Sequence, residues 1–545
     1  MIQSVEKKRS ERVFSIILTV LLFAFLALVF YVNLSCNPEY YNGDIYNDIR
    51  FAKEAWKAKS LFPDGWVFGN QVYVAATPVL AAALYGFIGD GFLAMGIASC
   101  IMTMFVLLSF NYMTRVIFSY NERLAGFLVM VTVIFARAHI AIAQKGAQVY
   151  FTMASYYSCY MITAFMVYGC YIRLKKKDYS KKSIPIVILS FVLTFAMGMQ
   201  SLRQTVVMVL PLLACDFLMT ITETIKHKSF KLSLNTLFSL AVIVANILGL
   251  IVIKQISFEQ TSIFGGDIYK IEIHNVISKI IEKFIMCIIG SFQSYTWNPH
   301  LNILAPLICL TAIFGNLIIE FINTIKNKFE YSQTFVLNLL LLLSVVSVFC
   351  VDVLTDLISK TIYYFMIFPL LAVSFSNITK RAKKIKAPIY LVVFMCFAVT
   401  ISMKWSVTYT EVRQGKNIGN VVYQMSDYML SNGYDTLFTP YVTNGQSKRG
   451  ESVIVASKDR LNYIFVDYRE KDIYADNYLR MKDDYKFTDN AKSLYYIEEK
   501  NISDFEDICD KYNVKIVFKK KFENYYLCKL SDNVCKIAEG QRDKK

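Results

Sequence analysis

Residues 13–34 read VFSIILTVLLFAFLALVFYVNL, and residues 40–48, a few positions on, read YYNGDIYND. The first stretch has no charged residue, and about 20 apolar residues in a helix cross the hydrocarbon layer of a bilayer. It follows the basic leader MIQSVEKKRSER at 1–12. The apolar run is longer than the core of a signal peptide, and Asn33-Leu-Ser-Cys36 is a poor cleavage site. The expectation is an uncleaved signal anchor with its N-terminus inside. The second stretch then sets Asp44 and Asp48 against the outer membrane surface. Asn42-Gly43-Asp44 is a turn signal, and Ile45, Ile49, Ala52 and Trp56 follow at helical spacing. Asp44 would cap that helix, and Asp48, four residues on, shares its face.

Working outward, the rest of the chain repeats the apolar theme. Of 545 residues, 55% are hydrophobic and only 18% charged, too little polar surface for a soluble protein of this length. Mean hydropathy is +0.40. Apolar runs fall at 13–34, 91–111, 123–140, 150–172, 184–201, 204–222, 232–254, 300–322, 333–351, 361–376 and 387–403, about eleven crossings. The net charge of +16 does not signal nucleic acid, because the cations concentrate in links between spans. These links are RLKKKDYSKK (173–182), ETIKHKSFK (223–231), NTIKNK (323–328) and NITKRAKKIK (377–386), all expected in the cytoplasm. Parity then requires that one apolar segment between 36 and 173 does not cross. The Ala-rich 72–89, broken by Pro78, is assigned that role, lying along or dipping into the outer face.

The expected fold is a polytopic α-helical membrane protein, N-terminus in and C-terminus out. Residues 1–403 form the membrane domain, with a first outer loop at 35–90 and a long outer loop at 255–299. Residues 404–545 are richer in charge and form a small extracytoplasmic α/β domain. Its strand-like runs are 452–456, 463–467 and 514–519, and its helical patterns 417–431 and 502–512. The compositional bias toward Lys, Ile, Asn and Tyr fits a bacterial plasma membrane. Most of the 12 cysteines lie inside spans as small apolar residues. Cys36, Cys509, Cys528 and Cys535 share the outer compartment, where a disulfide is chemically allowed. No CxxC pair occurs, and the four histidines lack zinc spacing.

Charges at membrane depth are costly and usually functional. Arg203 and Gln204 sit at an outer turn between two spans, in Met199-Gln-Ser-Leu-Arg-Gln-Thr. Arg137 and Lys145 flank the short outer loop 139–149. Cations near an outer carboxylate suit a phosphate; the competing reading is interfacial anchoring. The aromatic residues at outer span ends, Tyr157 and Trp297 among them, fit an interfacial belt. Trp66 and Trp297 are also candidates to stack on a sugar, and Gln204 and Tyr157 to line a substrate.

Together these features resemble the GT-C superfamily of membrane glycosyltransferases, which includes protein O-mannosyltransferases and lipid A aminoarabinose transferases. The resemblance rests on four points: a signal anchor, an acidic first outer loop (GDIYNDIRFAKEAW), a Pro-Leu-type helix start at Ala76-Thr77-Pro78-Val79-Leu80, and the basic turn Leu202-Arg203-Gln204. Ile45 stands where the family carries Glu, and Gln148 where relatives often carry Asp. The resemblance implies an undecaprenyl- or dolichyl-phosphate-linked sugar as donor, with undecaprenyl favoured by the bacterial composition, and a glycan, lipid or protein as acceptor. Asp44 is then the expected general base, and Arg203, helped by Lys145 and Arg137, the phosphate ligand. Asp48 is the candidate to orient the acceptor or hold a divalent metal; no other cofactor is implied.

Two rival classes share the outer location. A transporter or flippase of lipid-linked glycans would carry repeats and midplane polar sites, yet the span interiors hold few acids or bases. A glycan polymerase or ligase would place its cations in a large late loop, here 255–299 with Asp267, Lys270, Glu272 and His274. A fourth reading makes 404–545 an interaction module.

Overall fold

The computed structural model describes residues 2–34, 43–69, 71–133, 157–176, 183–229, 232–260, 271, 273–292, 299–355, 361–382, 421–441, 453–454, 456–458, 460–469, 472–475 and 480–542. Helix α1 (Ile2–Leu34) extends the apolar run at 13–34 back through the basic leader. Helix α2 (Gly43–Ala58) begins at the acidic motif, so Asp44 stands inside its first turn rather than at a cap outside it. Strand β1 (Trp66–Phe68) and helix α3 (Thr77–Ile88) complete the first loop. Pro78 does not break α3. It sits in the first turn, where its missing N–H costs nothing. Gly89, in the left-handed region, ends the helix, its N–H donating to the Tyr85 carbonyl. At 12 residues α3 is about 18 Å long, too short to cross a bilayer.

The apolar body continues with α4 (Gly91–Thr114), capped by Asp90, and α5 (Tyr120–Val133). Next come α6 (Ser158–Lys176) and α7 (Ile184–Gln200). A π-turn at Thr205–Val209 leads into α8 (Leu210–His227), followed by α9 (Leu234–Ile253). In the long loop, α10 (Val276–Lys283) runs into a π-turn at Phe284–Ile289. Helices α11 (Pro299–Lys326), α12 (Gln333–Leu354) and α13 (Ile367–Ala382) close the body.

Among the described residues, five helices are long and apolar enough to cross a membrane: Gly91–Thr114, Thr205–His227, Leu234–Ile253, Pro306–Lys326 and Gln333–Leu354. That is fewer than the eleven expected. The run at 387–403 lies outside the described residues, and those at 123–140 and 150–172 are described in part. The run at 361–376 is displaced: a 3₁₀ turn at Thr361–Tyr364 precedes α13, which carries Lys380 and Arg381 of the expected basic link inside the helix. Helices α7 and α9 pack along each other, as do α5 and α13, and α4 and α6. The first pair touches backbone to backbone: a Cβ at Gly249 would overlap the Phe195 carbonyl oxygen, and one at Gly198 the Asn246 carbonyl oxygen.

After a helix over 421–431 (α14) the chain builds a six-stranded sheet. Its strands are β3 (Thr436–Tyr441), β4 (Asn462–Arg469), β5 (Asp472–Ala475), β7 (Ser493–Glu498), β8 (Ile516–Phe522) and β9 (Tyr525–Leu530), in the order β5-β4-β3-β7-β9-β8. Strand β3 runs parallel to β4 and β7, and the outer strands are antiparallel. One core, with Phe438, Val466, Tyr495 and Cys528, is closed by α15 (Ile502–Lys511) and α16 (Val534–Arg542). The expected strand at 452–456 is not one: Val453 and Ile454 are helical and buried. A short apolar run is a pattern in which periodicity does not separate strand from helix. Cys509 and Cys528 are free, buried thiols, Cys535 is buried, and Cys36 lies outside the described residues.

A second, three-stranded sheet joins β2 (Glu259–Gln260), β1 and β6 (Arg480–Met481). Val67 pairs with Glu259 on one side and Arg480 on the other. The first loop, the long loop and the C-terminal segment therefore meet in one sheet.

Candidate functional site

The site grows from the loop between α2 and α3. Asp48 is fully buried and accepts a hydrogen bond of 2.6 Å from the Tyr73 hydroxyl. A charge-assisted bond of this length fixes the loop against the helix. The backbone N–H groups of Val74 and Ala75 both donate to Gln200 Oε1, at 3.1 and 3.2 Å. Gln200 ends α7, and its Nε2 donates to the Tyr160 hydroxyl at 3.2 Å. That hydroxyl donates to Gln71 Oε1 at 3.0 Å, and Arg203 Nη1 reaches the same oxygen at 3.4 Å. One network thus carries the position of Asp48 to Arg203.

Arg203 sits in an aromatic cage. Its guanidinium carbon lies 4.8 Å from the ring centre of Tyr157, 5.3 Å from Tyr363 and 5.8 Å from Tyr160. Each face attracts the cation through the ring quadrupole. The cage is held by the turn that carries Tyr363. Tyr364 donates to Asp352 Oδ2 at 2.6 Å, and Phe365 stacks on Tyr157 with ring centres 5.3 Å apart. Asp352, at the end of α12, is fully buried and faces Lys283 Nζ of α10 at 3.6 Å. Three consecutive residues therefore meet three anchors.

The expected residues divide as follows. Asp48 and Arg203 join one network, and Tyr157 is a wall of the Arg203 cage. Asp44 lies one turn before Asp48 in α2. Gln204 is buried; its Nε2 donates to Met208 Sδ at 2.9 Å, and its Oε1 has no partner among the described residues. Trp66 is only 1% exposed, packed edge-on against Phe51 in β1, so its ring supports the loop instead of offering a face to a sugar. Arg137, Lys145 and Trp297 lie outside the described residues. No three His, Cys, Asp or Glu residues stand close enough to hold a metal ion among the described residues, so none is found beside Asp48. Sequence reasoning missed Gln71, Tyr73, Gln200, Tyr363 and Asp352. Only Asp352 left a signal, an acid inside the apolar run VFCVDVL at 348–354.

On its other side α2 meets the C-terminal sheet. Arg50 Nη2 pairs with Asp484 Oδ2 at 2.7 Å, and its guanidinium lies 4.9 Å from the Tyr463 ring centre. Burial opposes the Arg50 charge, but the Asp484 carboxylate outweighs it and raises the pKa above the ordinary value. Asn47 Oδ1 accepts from the Tyr463 hydroxyl at 3.2 Å.

No family model matches the chain, and no curated protein does. Among solved structures it is similar to ArnT from Cupriavidus metallidurans bound to undecaprenyl phosphate. The match covers 94% of this chain and 98% of that one at a TM-score of 0.52 and 10% identity. So low an identity speaks for the fold alone: the chain folds as that membrane protein does.

Proposed function

We propose that the chain is a membrane glycosyltransferase that moves a sugar from a polyprenyl-phosphate donor to an acceptor on the extracytoplasmic face of a bacterial plasma membrane. The acceptor class comprises glycans, lipids and proteins. The observation that carries this reading is the linkage of Arg203, in its aromatic cage, to the carboxylate-bearing helix α2 through Gln71, Gln200 and Tyr73. A cation and carboxylates coupled where the loops meet are what transfer from a lipid phosphate needs.

In this reading Asp44 takes the proton of the acceptor hydroxyl as that oxygen bonds to the anomeric carbon. The bond from that carbon to the lipid phosphate breaks, and configuration inverts. The departing phosphate keeps its electron pair and its negative charge, and Arg203 stabilises it, with Lys145 and Arg137 as further cations. Phosphate leaves without a protonated acid, so one base suffices, unlike glycoside hydrolysis with its two carboxylates. Asp48, buried on Tyr73, is a positioning residue. Were a divalent metal part of the reaction, Asp48 would be the residue to hold it, though no group of three His, Cys, Asp or Glu that could hold a metal occurs among the described residues.

The test is transfer from a polyprenyl-phosphate sugar by purified Asp44→Asn. Loss of a general base lowers the rate by about 10²–10⁴-fold. Transfer at the wild-type rate removes Asp44 from the mechanism.

A further inference from the structure

The face of α2 opposite the carboxylates is not packed shut. Tyr46, Arg50, Lys53 and Lys57 recur at helical spacing, about half a turn around the helix from Asp44 and Asp48. Together with the C-terminal segments they enclose a cleft of about 410 Å³, within the usual range for a small-molecule site. Its floor is the Arg50–Asp484 ion pair over the Tyr463 ring.

The two walls differ in charge. The α2 wall carries Arg50, Lys53 and Lys57, with Glu54 bound to Lys57 at 2.7 Å. The facing wall carries Asp435, Asp484 and Asp489. Phe487 also lines the cleft and is 86% exposed, an unusual position for a large ring in a polar segment.

We propose that this cleft is a saccharide-binding site that takes a neutral, polyhydroxylated segment of the acceptor. Each sugar hydroxyl both donates and accepts, so carboxylates on one wall and ammonium groups on the other satisfy both roles at once. A polyanion would face four carboxylates, Glu54, Asp435, Asp484 and Asp489, and a polycation three basic residues. The exposed Phe487 ring offers a flat apolar face to the C–H side of a sugar. The cleft lies across α2 from Asp44, so it binds a part of the acceptor remote from the reacting hydroxyl and raises the local concentration of that hydroxyl. This gives the C-terminal sheet a share in acceptor choice. It deepens the transferase reading, and only the word acceptor rests on that reading.

The experiment uses the full chain in lipid nanodiscs and saturation-transfer NMR. The probes are neutral hexose and N-acetylhexosamine oligosaccharides, compared with a sulfated oligosaccharide and a neutral peptide. Wild type is expected to bind the neutral glycans best. Phe487→Ala and Asp435→Asn, each with an unchanged unfolding temperature, should weaken that binding about tenfold, the equivalent of about 1.4 kcal/mol. Asp44→Asn should leave it intact. Absence of glycan binding, preference for the peptide or the sulfated glycan, or binding indifferent to both cleft variants overturns the proposal. The binding readout needs no transfer, so an active Asp44→Asn enzyme would sink the catalytic reading while the cleft still stood or fell on its own result.

Discussion

Removing one hydroxyl should loosen the grip on the donor phosphate without touching the groups that would meet it. Tyr364→Phe deletes the 2.6 Å bond to the buried Asp352 carboxylate. A hydrogen bond to a charged group contributes about 1.5–3 kcal/mol. Without it, the turn Thr361–Tyr364 keeps the Phe365–Tyr157 stack but loses its closest tie to α12. Tyr363 then drifts from Arg203, where its ring face contributes about 0.5–2 kcal/mol to holding the guanidinium. If about 1 kcal/mol of that reaches the ligand, affinity for the lipid phosphate falls about fivefold. The assay is titration of detergent-solubilised protein with undecaprenyl phosphate, with donor KM and kcat measured beside it. KM should rise with the dissociation constant while kcat stays within about twofold, the mark of lost uniform binding. Asp352→Ala should do the same, and the double variant should cost less than the sum of the two, because both changes break one bond. Additive losses, or wild-type binding in Tyr364→Phe when Tyr363→Ala is impaired, would refute the idea that Asp352 positions the cage through Tyr364.

Two further outcomes test the scaffold. Gly249→Val should separate α7 from α9 and lower the unfolding temperature in detergent, with an overpacking cost of about 1–3 kcal/mol; an unchanged temperature would mean that the pair does not pack backbone to backbone. Burial alone would raise the pKa of Asp472, but bonds from Lys511 at 2.9 Å and Tyr512 at 2.8 Å hold it below the ordinary carboxylate value. The folded form thus binds its proton later than the unfolded one, so the stabilisation is complete above about pH 4 and is lost as pH falls through the folded value. Hydrogen exchange of β4 and β5 should show wild type losing protection over that acid window, and Asp472→Asn showing little change there because it lacks the carboxylate.

The membrane class and the helix at 77–88 were legible because each rests on a property carried by local sequence. Hydropathy marks a run, and Pro marks a first turn. Span boundaries were less so. The run at 361–376 is one apolar stretch on paper, yet Tyr364 is drawn into a bond with Asp352, a tertiary partner that bends the start of the run into a 3₁₀ turn. The site was half legible for the same reason. Asp48 and Arg203 stand out as charges at a membrane surface, whereas Gln71 and Gln200 are ordinary polar residues in the sequence. They matter only because the loop brings their amides within 3.4 Å of partners on other segments. Trp66 misled in the opposite direction: a lone Trp in an outer loop invites a sugar, but its size made it the loop's own packing residue.

The two sides of α2 explain why the C-terminal sheet should matter to the proposed chemistry. A 16-residue amphipathic helix with three acidic and three basic residues is not held by hydropathy. Its carboxylate face is fixed by Tyr73 on Asp48. Its side toward the C-terminal sheet is fixed by Tyr463 on Asn47 and by Asp484 on Arg50. Neither set alone sets the rotation of the helix about its axis, because Asp48 offers one bond and the Arg50 pair lies more than half a turn of helix further along. Acting together they leave one rotation that satisfies both, and that rotation sets the direction in which the first turn, with Asp44, faces. A change at Tyr463 or Asp484, distant from any lipid phosphate, therefore acts on the geometry of the proposed base and should lower kcat before it alters donor binding, the reverse of the split expected at Tyr364.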